Sequence, residues 1–277
     1  MTPAAVAQAF REACLAELQA LKPGNVHVHA AGHRMTVADF ERSAEAAAPC
    51  IAAPDLRVGP RVLKAVEATR AAVGHNTNLG IVLLAAPLAA AVPFAAAGGL
   101  RPALARVLDL LDIEDAECAF RAIRCANPAG LGRAAHDVRA PATATLLEAM
   151  REAAPRDRIA RQYVTVYEDV FGLGLHTLQA AEARLGPGPW ATAAVHLAFM
   201  AAFPDSHISR KYGPAVAGDV MQRARDLVAR NPPGPAAESA YRAFDRALKA
   251  AGLNPGTSAD LTVATLFARR LQGIEAG

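Results

Sequence analysis

Aromatic side chains are scarce in this sequence, 5% of 277 residues with a single tryptophan. A core built without them must be filled mostly by Ala, Leu and Val, and Ala and Leu are strong helix formers. Cysteine is nearly as sparse. Cys14, Cys50, Cys118 and Cys125 form no CxxC pair, which leaves no sign of a zinc ribbon, a thioredoxin-like centre or a disulfide framework. We read all four as reduced and structural, in a reducing compartment. No segment alternates apolar and polar residues with period two, so no half-buried strand is expected. Neither sign of charge dominates: the formal net charge is +3, too small to imply a nucleic-acid partner. Met1 to Phe10 lacks the basic stretch and apolar run of a secretion signal. The longest apolar stretch, Ile81 to Ala97, is short for a membrane span and carries Pro87 and Pro93, so a buried core helix is expected. A cytoplasmic protein with no membrane partner follows as the expectation.

What is present is apolar mass and helical spacing. Hydrophobic residues make up 53% and charged residues 20%, enough for a large core and too apolar for disorder. Helical periodicity marks Thr2–Leu21, Thr36–Ala48, Arg61–Ala72, Ile81–Ala97, Ala103–Leu111, Asp115–Cys125, Thr143–Ala153, Arg158–Leu185 with an interruption at Phe171–Gly174, Pro189–Phe203, Ala215–Ala229, Ala236–Ala251 and a last helix after Thr257. Pro49 and Pro54 are expected to close the second of these. The fold class is therefore all-α, a single multi-helix domain over 1–277. Gly98-Gly99-Leu100-Arg101-Pro102 is the best place for an internal boundary.

Polar residues collect at the joints between these helices. Glu17 falls on or beside an apolar stripe, where a carboxylate needs a partner. Lys22-Pro23-Gly24-Asn25 ends the first helix, and His27, His29 and His33 follow in a loop. They read as solvated histidines, with His27 or His29 facing a ligand as the sharper reading. Thr36 and Asp39 have capping-box spacing. Val73-Gly74-His75-Asn76-Thr77-Asn78-Leu79-Gly80 joins an amphipathic helix to the apolar one, with Gly74 as a C-cap and Thr77 as an N-cap in the simplest reading. Such a loop can also present side chains and backbone N–H groups at the bottom of a cleft. Asn127-Pro128-Ala129-Gly130-Leu131-Gly132 lacks the Lys-Ser/Thr of a P-loop. His196 reads as a core histidine paired to backbone. Asp205, His207, Arg210 and Lys211 lie within seven residues; if Asp205 caps a helix, the other three project to one side. Thr257 and Asp260 again have capping-box spacing.

The ordered set Lys22-Pro-Gly-Asn25, Asp39-Phe40, Gly74-His-Asn76-Thr77, Asp205-Ser-His-Ile-Ser-Arg210-Lys211 and Pro255-Gly-Thr-Ser-Ala-Asp260-Leu261 resembles the triphosphoribosyl-dephospho-CoA synthase family, from about Glu17 to about Phe267. The resemblance implies an all-α transferase. Such an enzyme takes ATP and 3′-dephospho-CoA, releases adenine and joins the 5-triphosphoribosyl group to the 2′-hydroxyl of the acceptor. Where members tend to read Pro-Lys-Pro-Gly-Leu-Val-Asp, this chain has Leu21-Lys22-Pro23-Gly24-Asn25-Val26-His27. Where they tend to have His-Lys before the central glycine, it has Asn78-Leu79 before Gly80. It is in this respect similar to divergent members found with one-carbon coenzyme genes.

Under this resemblance the candidate catalytic residues are Asp39, His75, Asp205 and His207. Candidates for substrate and phosphate binding are Lys22, Gly24, Asn25, Asn76, Thr77, Arg210 and Lys211, and candidate metal ligands are Glu17, Asp39 and Asp260. Mg²⁺ is expected with ATP. The partners expected are small molecules, with a homo-oligomer as a further possibility. A transferase on another phosphorylated or pyrophosphorylated substrate of methanopterin- or methanofuran-type coenzyme synthesis is the alternative, and a non-catalytic nucleotide-binding protein a third.

Overall fold

Pro87 sits in the middle of the most apolar helix, where it cannot donate to the carbonyl of Leu83. The orphaned carbonyl is met from outside: the buried Tyr163 hydroxyl donates to Leu83 O at 2.7 Å, and Tyr167 donates to Leu84 O at 3.0 Å. These bonds tie the middle of the chain to the helix at its centre. The computed structural model describes residues 1–28, 35–95, 98–128 and 136–275. Among them are fourteen α-helices and no strand, the all-α class that the spacing predicted.

The helices are α1 (Pro3–Gln19), α2 (Val37–Ala52), α3 (Val58–Val73), α4 (Leu79–Ala91), α5 (Leu100–Asp109), α6 (Ile113–Ala126), α7 (Leu146–Ala153), α8 (Arg158–Val164), α9 (Leu175–Leu185), α10 (Pro189–Ala202), α11 (Ser206–Tyr212), α12 (Pro214–Arg230), α13 (Glu238–Ala250) and α14 (Gly256–Glu275). The main core joins Leu84 and Leu88 of α4 to Phe10 of α1 and Phe267 of α14, all fully buried. The two phenylalanines meet edge to face at 5.7 Å. A smaller cluster, including Ile208, Val220 and Leu248, packs α11, α12 and α13 against α10. Leu100 and Leu104 of α5 share the main core with α4, so apolar packing runs straight across Gly98-Gly99. No helix among the described residues is long and apolar enough to cross a membrane. All four cysteines are free thiols.

Two boundaries differ from expectation. Helix α2 runs through Pro49 to Ala52. Proline removes one hydrogen bond there, but Ala47, Ala48 and Ile51 are fully buried and their packing outweighs that loss. The break inside 158–185 comes early, at Val166 and Tyr167, whose φ angles are 49° and 54°. A β-branched residue avoids that conformation; here it swings the Tyr167 hydroxyl onto α4. A wide turn at Val170–Gly174 then leads into α9. Gly174 has no room for a side chain, since a Cβ would lie 2.4 Å from Thr265 Oγ1.

Candidate active site

A cavity of about 1210 Å³ opens beside the starts of α4, α8, α11 and α14. Its floor is made by the central loop and the first turns of α4 and α14. Gly74 ends α3 in the left-handed conformation, φ 83°, and its N–H bonds Arg70 O at 2.8 Å, as a C-cap glycine does. Thr77 does not cap α4. Its hydroxyl bonds Ser43 Oγ at 2.6 Å, Asn78 takes the cap position, and Asn76 Oδ1 accepts from Leu79 N–H at 3.1 Å. His75, Asn76 and Thr77 all line the cavity.

Asp260 projects from the second turn of α14 onto the cavity floor. It does not form the capping box its spacing suggested, because α14 starts at Gly256 and Thr257 Oγ1 instead accepts from His207 N–H at 3.2 Å. Among the described residues the Asp260 carboxylate makes no hydrogen bond or ion pair. Burial, and then the carboxylates of Asp205 and Glu17, push its carboxyl well above the usual carboxylate range, against a pull from Arg210. Gly80 makes room for it: a Cβ on Gly80 would lie 2.0 Å from Asp260 Oδ2 and 2.8 Å from Ile159 Cδ1. Gly80→Ala is therefore expected to push Asp260 aside and cut turnover at least tenfold, although alanine favours a helix by about 1 kcal/mol. Steady-state rates beside a thermal melt check this; an alanine variant with wild-type turnover would refute it.

Asp205 binds two helices together. Its Oδ1 accepts from His207 and Ile208 N–H at 2.9 and 3.2 Å, capping α11, and Oδ2 accepts from Ser258 N–H and Oγ at 2.8 and 2.9 Å. Burial pushes its carboxyl up while these four donors pull it back. The cap turns His207 and Arg210 into the cavity, and Arg210 Nη1 pairs with Asp157 Oδ2 at 3.1 Å. Lys211 points elsewhere, exposed and 5.1 Å from the Tyr212 ring.

Lys22 lies behind the wall rather than in the cavity. Its ammonium is fully buried against Glu17 and donates to Asn25 Oδ1 at 3.0 Å. Burial pushes the Lys22 ammonium down and the Glu17 carboxyl up, and each partner opposes the other's shift. Glu17 and Asn25 do reach the cavity, and Asn25 Nδ2 donates to Asn254 Oδ1 at 2.8 Å. Gly24, at φ 82°, packs under Pro255 and donates its N–H to Asp245 Oδ1 at 2.8 Å. Together these contacts fasten the segment after α1 to α13 and to the start of α14.

Asp39 stands apart. Its Oδ2 takes Thr36 N–H at 2.9 Å in a complete capping box, and Oδ1 takes Arg42 at 2.7 Å. The Thr36 backbone and hydroxyl hold its carboxyl down at about 2. Glu17, Asp39 and Asp260 are thus not gathered together, and no group of three metal-ligating side chains forms among the described residues. His27 is buried against Asp245 and Lys249 instead of solvated or facing the cavity; His29 and His33 lie outside the described residues. His196 is fully buried in the core and burial pushes it down to about 3. The Pro23 and Ser258 carbonyls act on it, but neither ring nitrogen reaches hydrogen-bond geometry with a described residue.

Over residues 3–276 the chain matches the profile of the ATP:dephospho-CoA triphosphoribosyl transferase family. The chain belongs to this family. Its fold is also similar to a crystal structure designated a triphosphoribosyl-dephospho-CoA synthase, from Archaeoglobus fulgidus. The TM-score is 0.67 and the identity 23%, covering 83% of this chain and 98% of that one. No functionally curated protein shows significant similarity. Within this family member, sequence reasoning passed over Asp157, Ser258 and Asn254. Asp157 does carry a readable signal, since an Asp immediately before a helical run is a preferred N-cap, and its Oδ1 accepts from Ile159 and Ala160 N–H. The partnerships of Ser258 and Asn254 span 53 and 229 residues and leave no local pattern.

Proposed function

We propose that this chain transfers the 5-triphosphoribosyl group of ATP to the 2′-hydroxyl of 3′-dephospho-CoA and releases adenine. The observation that carries the reading, beyond family membership, is that the Asp260 carboxylate has no partner among the described residues in a cavity large enough for two nucleotides. Displacing adenine from C1′ builds positive charge on the sugar and requires a proton to leave the attacking hydroxyl. Asp260 is the base: it has no competing partner among the described residues, and its raised pKa brings it toward the working pH, where a base acts best. It also faces the sugar as a negative charge while C1′ becomes positive. His207, on the same floor, is placed to meet the departing base, and Asn25 and Asn76 to orient ribose hydroxyls. Arg210, steadied by Asp157, takes the triphosphate.

Mg²⁺ fits this arrangement as an ion delivered by the nucleotide. Mg²⁺ keeps several waters and needs only one or two carboxylates beside substrate phosphates, and the described residues offer no closed cage. Both oxygens of Asp157 are taken, Oδ1 by the start of α8 and Oδ2 by Arg210, so phosphate oxygens and water would hold the ion, which would screen the phosphate charge.

Purified protein with ATP, Mg²⁺ and 3′-dephospho-CoA should yield free adenine and a triphosphoribosyl adduct, read by chromatography and mass. Folded protein that binds both compounds and makes neither product would sink the reading. A different acceptor, of the one-carbon coenzyme type suggested by Asn25 and by Asn78-Leu79, would then be sought with the same adenine readout.

A further inference from the structure

The cavity lining falls into two sets of residues of different character. Around the starts of α8 and α11 the guanidiniums have carboxylate partners that steady them: Arg210 pairs with Asp157, and Arg158 makes a two-pronged bridge to Asp169, 2.7 Å on each side. A second stretch of wall comes from α3, α6 and α7. Its sides are apolar, with Phe120 and Ile123 on α6 and Ala149 and Met150 on α7. Two guanidiniums line it, Arg70 from the last turn of α3 and Arg156 just after α7. Neither has a carboxylate within ion-pair distance among the described residues. Each is held by one bond to a backbone carbonyl: Arg70 Nη1 to Cys125 O at 2.6 Å, and Arg156 Nη1 to Glu152 O at 3.0 Å. That bond fixes the group and leaves most of its five N–H donors for a ligand. The carboxylates of this lobe are already engaged. Glu152 Oε2 accepts from His136 N–H at 3.0 Å, and Asp137 pairs with Arg139 at 3.1 Å.

Apolar walls with surplus positive charge suit a ligand that joins phosphate to a long, weakly polar chain. A bare triphosphate would leave those walls unused. The volume, about 1210 Å³, also exceeds the roughly 300–1,000 Å³ of a pocket for one small molecule, and group transfer requires both substrates to be held together. We propose that the lobe walled by α3, α6 and α7 holds the acceptor's diphosphate and extended arm, with Arg70 and Arg156 as its phosphate contacts. The inference rests on the transferase reading above and adds where each substrate lies: donor triphosphate at Arg210, acceptor diphosphate and arm among α3, α6 and α7.

Calorimetric titration of the full-length protein with 3′-dephospho-CoA and with ADP, which lacks the arm, tests the placement. The wild type should bind 3′-dephospho-CoA at least tenfold tighter than ADP. Ala149→Trp, which fills the lobe from its wall, should erase that difference and leave the KM for ATP within about twofold. Arg70→Gln with Arg156→Gln should weaken both ligands about tenfold or more, again sparing the KM for ATP. Thermal melts establish that the variants are folded. A rise in the KM for ATP with acceptor affinity unchanged would place the donor in this lobe and overturn the proposal. So would equal wild-type affinity for the two ligands in an enzyme that still releases adenine, which leaves the transferase reading standing. A wild type that neither binds nor consumes 3′-dephospho-CoA would overturn both.

Discussion

Asp260→Asn is expected to lower kcat for adenine release by about a hundredfold or more while making the protein more stable. Both effects have one source. The carboxylate stands without a hydrogen bond among the described residues, and burial and the charges of Asp205 and Glu17 act against its ionisation. The folded state holds its pKa above the ordinary 3.8, so ionising it costs stability. The sign follows from linkage: the penalty is absent below the ordinary value and grows as pH rises through the raised one. Asparagine keeps the shape and removes the charge, so the stability gain of the variant should grow with pH and vanish in acid. In the wild type, kcat should rise with pH along a limb placed above the ordinary carboxylate range, and that limb should be missing from the residual activity of the variant. Rates and melts across one pH series measure both. An asparagine variant that turns over normally would remove Asp260 from the chemistry.

Asp205→Ala should fail in the opposite manner, by losing stability. Four donors converge on that carboxylate, two from the start of α11 and two from Ser258 on α14. Hydrogen bonds to a charged acceptor contribute about 1.5–3 kcal/mol each and are not additive, and their loss strands buried donors. A loss of about 3 kcal/mol or more is expected, a fall in melting temperature of about 6–12 °C for a chain of this size. The experiment also decides what kind of residue Asp205 is. If the variant melted like the wild type and lost only turnover, Asp205 would have to touch substrate, and its helix-joining role would be incidental.

These two aspartates mark the limit of what the residue string disclosed. Both were legible as important, since each lies in a polar cluster between apolar helices. Their roles were not. Asp205 stood among the catalytic candidates and as a possible cap of its own helix; it does cap that helix, and the fold adds two donors from Ser258, 53 residues away. Asp260 looked like half of a capping box, and the early start of α14 at Gly256 leaves its carboxylate open to the cavity. Lys22 shows the same divergence. The family resemblance suggested phosphate binding for Lys22, yet its ammonium is sealed against Glu17. Asp39, by contrast, follows its local pattern through, because a capping box closes within four residues and needs nothing from the rest of the chain.

The amino-acid sequence alone determined the helical class, the order of the helices, the polar joints between them and the family, because each is written in spacing and local residue choice. Packing decided the rest: which joints face the cavity, which carboxylate is left unpaired, and where uncommitted arginines meet apolar walls. Hydrogen-bond saturation and burial are properties of groups brought together from distant positions. No window of the sequence contains both Gly80 and Asp260, or Arg70 and Arg156, so their meeting at one cavity becomes visible only once the helices are packed.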